Sequence, residues 1–344
     1  MELLGSTHPY IIAPSLSTPP GEAVKVEGGV RVSGTWKWAT GIMHADWVLA
    51  VALLRDGDGP SQMRMVLFPA GDAQVLDTWH ADGMAGTGSN DVRVTDLFVP
   101  DRRVLSDMTI MIGRGPAGRA YSESVWTTPM LVFATVIAAA PALGAAKAAV
   151  KAFQTRIVGH IRKGADVKQM EKPAAQLRLA KADLMVGAAE TIMREAGRRA
   201  VSLARIDMPE QTNARTATRA QLTYAVSLCR KAVLHLAEGA GSSVHMLDEP
   251  FQRAVRDICL MSSHVGFDVD AVYELHGRAL VGLPPNSLMA RCLVPESRAA
   301  TLTREGEEAL WQAAFTAQPE RRREFEPSSK RRKKRAAPWP SATA

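Results

Sequence analysis

The sequence predicts an α+β protein, an antiparallel β-barrel or sandwich domain followed by an α-helical, four-helix bundle. Three observations predict it. Short apolar runs bounded by turn residues fill the chain up to about Asp107. From about Ser122 the apolar residues recur at three- and four-residue spacing, with alanine prominent. Between the two textures lies a Gly- and Pro-rich stretch, Gly113 to Gly118, that follows no clear strand and matches no complete nucleotide-binding fingerprint. The expected organisation is therefore a β-domain over 1–110, an interdomain loop over 111–120, a helical bundle over 121–287 and a basic, largely disordered tail over 288–344.

In chain order, strands are expected at Val24 to Val26, Val30 to Thr40, Trp47 to Leu54, Met63 to Phe68, Val75 to Trp79 and Asp91 to Val99. The turns between them carry Glu27-Gly28-Gly29, Asp56-Gly57-Asp58-Gly59-Pro60 and Pro69-Ala70-Gly71-Asp72. From Val30 the side chains alternate, which puts Val30, Val32, Trp36, Trp38 and Thr40 on one face. On a strand, Trp38 and Thr40 would stand about 7 Å apart, a spacing that suits a planar aromatic ligand covered by an indole and bonded by a hydroxyl. The same pattern also describes a Trp-rich core strand whose Thr satisfies a neighbouring backbone group. Helices are expected at Pro129 to Arg162, Lys172 to Ile206, Asn213 to Glu238 and Pro250 to Ser263, with shorter ones after them. Their alanine seams allow close helix approach. The apolar run from Met130 to Ala149 contains Pro141 and Lys147 and fits a buried helix better than a membrane span. No repeat of 20 to 50 residues is evident.

The 344 residues carry a formal charge of +7. In Thr301 to Ala344, ten Lys and Arg stand against six Glu, which leaves +4 in that segment and +3 in the remainder. The run Lys330 to Arg335 has no interleaved aromatics, so it reads as a solvated tail and argues against a nucleic-acid partner. Cys229, Cys259 and Cys292 are far apart and form no metal-like pair, which fits a reduced cytoplasm without disulfides. The first residues lack the charged and apolar regions of a signal peptide. His80, His160, His235, His245 and His276 show no metal-ligand spacing, so no metal site is expected.

Several motifs carry a resemblance. Gly34-Thr-Trp-Lys-Trp-Ala-Thr40 resembles the Trp-x-Thr flavin segment of the acyl-CoA dehydrogenase superfamily. Its extension through Gly41-Ile-Met-His-Ala-Asp-Trp47 more closely resembles the monooxygenase branch, the oxygenase components of two-component flavin-dependent hydroxylases. Asp77-Thr-Trp-His80, Gly83 to Asp91, Val94 to Pro100, and Pro250 to Asp257 with His264 and Phe267-Asp268 are similar to that branch in the same order. The likeness runs from about Ile11 to Leu283. The branch normally begins with an α-helical domain, and this chain aligns from the segment after it.

The resemblance implies an acyl-CoA dehydrogenase-like fold that binds reduced FMN or FAD from a separate flavin reductase. With O2 it would form a C4a-hydroperoxyflavin and oxygenate an aromatic, phenolic or other small organic substrate. It implies that Trp38 covers the flavin ring, that Thr40 bonds at N5 or at the peroxide, and that His264 faces the substrate as a base or as an orienting group. Thr87 and Ser89, in a Gly-rich turn with Asn90, could meet the flavin; a plain β-turn accounts for them equally. The plainer role of His264 is to cap a helix. His44, Asp46 and Trp47 are expected to pack a strand junction, and Arg256 and Asp257 to form a helix–helix or subunit salt bridge. Assembly as a homotetramer is implied as well. An acyl-CoA dehydrogenase is a second reading, disfavoured because Val265 occupies the position where a late-helix Glu would serve as base. A non-catalytic remnant or assembly partner is a third.

Overall fold

The sheet begins with a long strand that the sequence only half reveals. β1 spans Ser15–Val26, β2 Gly29–Trp36, β3 Trp47–Arg55, β4 Gln62–Pro69, β5 Gln74–Leu76, β6 Asp91–Pro100 and β7 Val104–Leu105. The computed structural model describes residues 11–55, 57, 61–105, 121, 123–159, 167–206, 210–284 and 286. The Gly113 to Gly118 stretch, His160, Cys292 and the basic tail lie outside them.

The strands form one sheet in the order β5-β6-β2-β1-β3-β4-β7. It is mixed, not wholly antiparallel as expected, because β1 pairs with β3 in parallel. The reason is the path of the chain. β1 and β2 make a tight hairpin through Glu27 and Gly28, after which residues 37–46 cross the end of β1 and return the chain as β3 on the other side of β1. A buried cluster including Leu16, Val32, Trp36, Ala50, Val66, Phe68 and Val92 holds this layer together.

Among the described residues five α-helices follow: α1 Met130–Gly159, α2 Pro173–Ser202, α3 Glu210–Ala240, α4 Pro250–Ser262 and α5 Val269–Leu280. Ala139, Ala142, Ala146, Ala149 and Phe153 recur at three- and four-residue spacing on α1 and are fully or almost fully buried. They meet Ala182, Ala189 and Ala196 of α2 and Leu222, Ala225, Cys229, Ala232 and Leu236 of α3 in one core. Small residues along the facing stripes let these helices approach closely. α1 is long and apolar enough to cross a membrane, but its alanine stripe lies inside this core. Partly buried Met84 of the sheet layer packs on the same core.

Candidate functional site

Trp36 ends β2, buried completely, with its indole Nε1 donating to the Val51 carbonyl at 2.8 Å. The chain then enters the crossover. The Lys37 amide donates to the Thr18 carbonyl at 2.9 Å, the Trp38 amide to the Asp91 carboxylate at 3.3 Å and the Ala39 amide to the Asn90 carbonyl at 2.9 Å. Trp38 sits at φ 62, the left-handed region that a bulky residue enters only at a cost. That single residue inverts the alternation, so Ala39 is buried and Trp38 is 56% exposed. The expectation that Trp36, Trp38 and Thr40 share one strand face is therefore corrected: the strand stops at Trp36, and Trp38 and Thr40 stand on a crossover loop. Backbone of this kind persists where its surroundings over-determine it, which is common at functional sites.

Thr40 reaches the Gly-rich turn. Its Oγ1 lies 3.0 Å from Ser89 Oγ, and Ser89 Oγ lies 2.8 Å from Thr87 Oγ1. Thr87 Oγ1 in turn donates to the Met84 carbonyl at 2.9 Å. This turn is no plain β-turn. Ala85–Thr87 form one turn of 3-10 helix between left-handed Met84 and Gly88, both at φ 50. Trp79 Nε1 donates to the Met84 carbonyl at 3.1 Å. Asn90 Oδ1 accepts the amides of Thr78 and Trp79 at 3.0 and 2.9 Å, and the Gly41 amide donates to the Thr87 carbonyl at 3.0 Å. Ser89 and Asn90 are buried by this network.

The same turn is held from the helical layer. The Met84 amide donates to Asp257 Oδ1 at 2.5 Å, and Arg256 Nη1 donates to the Asp82 carbonyl at 2.8 Å. A Cβ on Gly83 would fall 2.5 Å from the Arg256 carbonyl oxygen, so only glycine permits this approach of turn to helix. Arg256 and Asp257 thus clasp residues 82–84, where a salt bridge between helices or subunits was expected.

His264 follows α4 by two residues. Its Nδ1 accepts the Gly266 amide at 3.0 Å, capping the short turn Val265–Phe267, as the plainer expectation had it. That bond places the ring proton of the neutral imidazole on Nε2. Burial of the ring and then the positive charge of Arg219 lower its pKa below the usual histidine value, although the residue keeps an exposed surface. Arg219 donates to the Gly266 and Val265 carbonyls, fixing the segment after His264. Among the described residues no hydrogen bond or ring contact joins His264 to Thr40. The connection runs through α4, which carries Asp257 at the clasp and leads into His264. Val265 is exposed and offers no base.

Of the remaining motif residues, Asp46 packs the junction, its carboxylate accepting the Ile12 amide at 2.9 Å. Trp47 lies under the Arg103 guanidinium at 4.7 Å, and His44 is exposed. Sequence reasoning missed Met84, Trp79 and the clasp role of Asp257. The left-handed Met84 has no local signature, and its partner stands 173 residues away. Asn90 had one, directly after Gly88-Ser89.

Residues 136–269 match the family model described as "Acyl-CoA dehydrogenase, C-terminal domain". The chain is 32% identical over 279 residues to the pigment production hydroxylase of Rhodococcus sp. (strain ATCC 21145), covering 80% of this chain and 71% of that one. It is 34% identical over 277 residues to the oxygenase component of the FADH(2)-dependent resorcinol hydroxylase of Rhizobium sp. (strain MTP-10005), covering 78% and 68%. XiaF from Streptomyces sp., solved in complex with FADH2 and glycerol, superposes with a TM-score of 0.76 at 29% identity, covering 83% of this chain and 72% of that one. By these relatives and by its fold, the chain belongs to the acyl-CoA dehydrogenase superfamily, in the branch formed by the oxygenase components of flavin-dependent hydroxylases.

Proposed function

We propose that the protein is the oxygenase component of a two-component flavin-dependent monooxygenase, which takes reduced FMN or FAD from a separate flavin reductase and hydroxylates an aromatic or phenolic substrate with O2. One observation carries the site assignment: an outward Trp38 held at positive φ beside the connected hydroxyls of Thr40, Ser89 and Thr87. An indole and a row of hydroxyls fit the flat ring and polar edge of a flavin. The bound reduced flavin supplies the electrons that activate O2 for transfer of one oxygen atom to the substrate.

The chain's own residues then have distinct tasks. Trp38 covers the ring, and Thr40 bonds at the N5 edge. The buried Ser89 and Asn90 network fixes that edge and keeps water from it. His264 holds a proton on Nε2, so it orients a substrate oxygen by donating to it; acting as a base through Nδ1 would require breaking its bond to Gly266. Burial and then the charge of Arg219 lower the pKa of this imidazole and so favour its neutral form. The dehydrogenase reading is disfavoured, because Val265 offers no base at the late-helix position.

Self-assembly, as a homotetramer, is part of the proposal. A hollow of about 600 Å3 lined by Ile192, Tyr224, Tyr273 and Leu280 adjoins a second of about 520 Å3 along Leu177, Leu184 and Leu228. An apolar face of this extent favours a partner. We also place the protein in the cytoplasm: Cys229 and Cys259 are free, and burial pushes the Cys229 thiol up to about 12.

The test is to mix the protein anaerobically with reduced FMN or FAD, admit O2, and follow the return of the oxidised-flavin spectrum. A return markedly slower than that of free flavin, with a hydroxylated product when a phenol is added, is the expected result. Reoxidation at the free-flavin rate with either flavin overturns the proposal.

A further inference from the structure

Counting protons along the hydroxyl chain gives it a direction. Each hydroxyl has one proton to donate. Thr87 Oγ1 donates to the Met84 carbonyl, which accepts the Trp79 indole and the Thr87 amide as well. In the 2.8 Å contact between Thr87 and Ser89 the donor is then Ser89, and in the 3.0 Å contact between Ser89 and Thr40 the donor is Thr40. All three protons point toward Met84. Thr40 is left presenting only lone pairs on its outer side.

The origin of this direction is the Met84 carbonyl, which is fixed from both sides. Trp79 Nε1 donates to it at 3.1 Å, and the Met84 amide is tied to Asp257 on α4 at 2.5 Å. That tie, together with the bonds to the Met84 carbonyl, holds Met84 at φ 50.

We propose that Thr87 and Asp257 are positioning residues that bias Thr40 toward accepting a hydrogen bond, and thereby favour reduced over oxidised flavin at N5. The inference rests on the proposed function for placing N5 beside Thr40. A reduced flavin carries a proton on N5 and can donate to Thr40. An oxidised flavin has a lone pair there, which would face the lone pairs of Thr40. Reversing the chain to accommodate it would forfeit the hydrogen bond from Thr87 Oγ1 to the Met84 carbonyl, which Trp79 Nε1 and the Thr87 amide would continue to fill.

The readout is the ratio of dissociation constants for oxidised and reduced FMN or FAD, measured by anaerobic titration of the full chain. Thr87→Val removes the acceptor that orients Ser89, which frees Ser89 to donate to Thr40 and Thr40 to donate outward. The ratio should fall by about tenfold, the scale of one correctly against one wrongly oriented hydrogen bond. Asp257→Ala should lower the ratio in the same direction. Asp257→Asn keeps an acceptor for the Met84 amide and should restore it, which separates positioning from a general loss of structure. Equal ratios in the wild type, Thr87→Val and Asp257→Ala would overturn the inference while leaving the proposed function standing. Failure of the wild type to bind either form of flavin would overturn both.

Discussion

Trp38 shows what a single residue can conceal from its sequence. Alternation from Val30 to Trp36 is regular, and nothing in Lys37-Trp38-Ala39 announces a left-handed residue, since glycine stands only at Gly34 and Gly41. The motif therefore singled out Trp38 and Thr40 together and misjudged the surface they occupy. Three backbone bonds, to Thr18, Asp91 and Asn90, hold the segment. They offset a backbone cost on the order of 1–3 kcal/mol. Removing the side chain in two ways measures that cost. Trp38→Gly, which tolerates φ 62, should be more stable than Trp38→Ala by about 1 kcal/mol, while both lose flavin affinity to a similar degree. Urea midpoints of the two variants decide it. Equal midpoints would mean that Trp38 is not strained.

At the scale of elements, the helices were legible and the sheet was legible in part. A helix announces itself within its own length: the alanines of α1 repeat at 3.6-residue spacing whatever packs on them, and Pro250 and Pro173 mark the starts of α4 and α2. Strand pairing is decided elsewhere. The expected strand began only at Val24, whereas β1 begins at Ser15 and includes Pro19, Pro20 and Gly21. The strand passes through them nonetheless, since its pairing with β3 shifts between Leu16 and Gly21 and its pairing with β2 starts at Glu22. The prolines occupy the stretch where no partner asks for an amide. The parallel β1–β3 pairing was not legible because it depends on which edge of β1 the crossover loop reaches. Gly34 illustrates how tightly that loop's origin is packed: a Cβ there would lie 2.8 Å from the Trp36 ring and 2.9 Å from Gly21 Cα.

For the whole molecule, the motif order conveyed the family, and the physical pairing that joins the two layers was out of reach of any local pattern. The apolar face along α2, α3 and α5 belongs to this scale too. Leu177 and Leu184 are 72% and 73% exposed, which is costly for leucines on an isolated chain. On the proposed self-assembly, Leu177→Asp with Leu184→Asp should lower the mass in sedimentation equilibrium without altering helical content; an unchanged mass would remove this face from the proposal. A last consequence follows from the clasp between Met84 and Asp257, which are 173 residues apart in sequence. The hairpin of β1 and β2 and the contacts between successive helices close short loops, whereas this bond closes a very long one and gains little until both layers exist. Site assembly is thus expected to be a late event in folding, so that a chain with native secondary structure can still be blind to its cofactor. Pulse-labelling hydrogen exchange during refolding should find the Met84 amide protected after the amides of α2 and α3. Simultaneous protection would mean that the two layers fold as one unit.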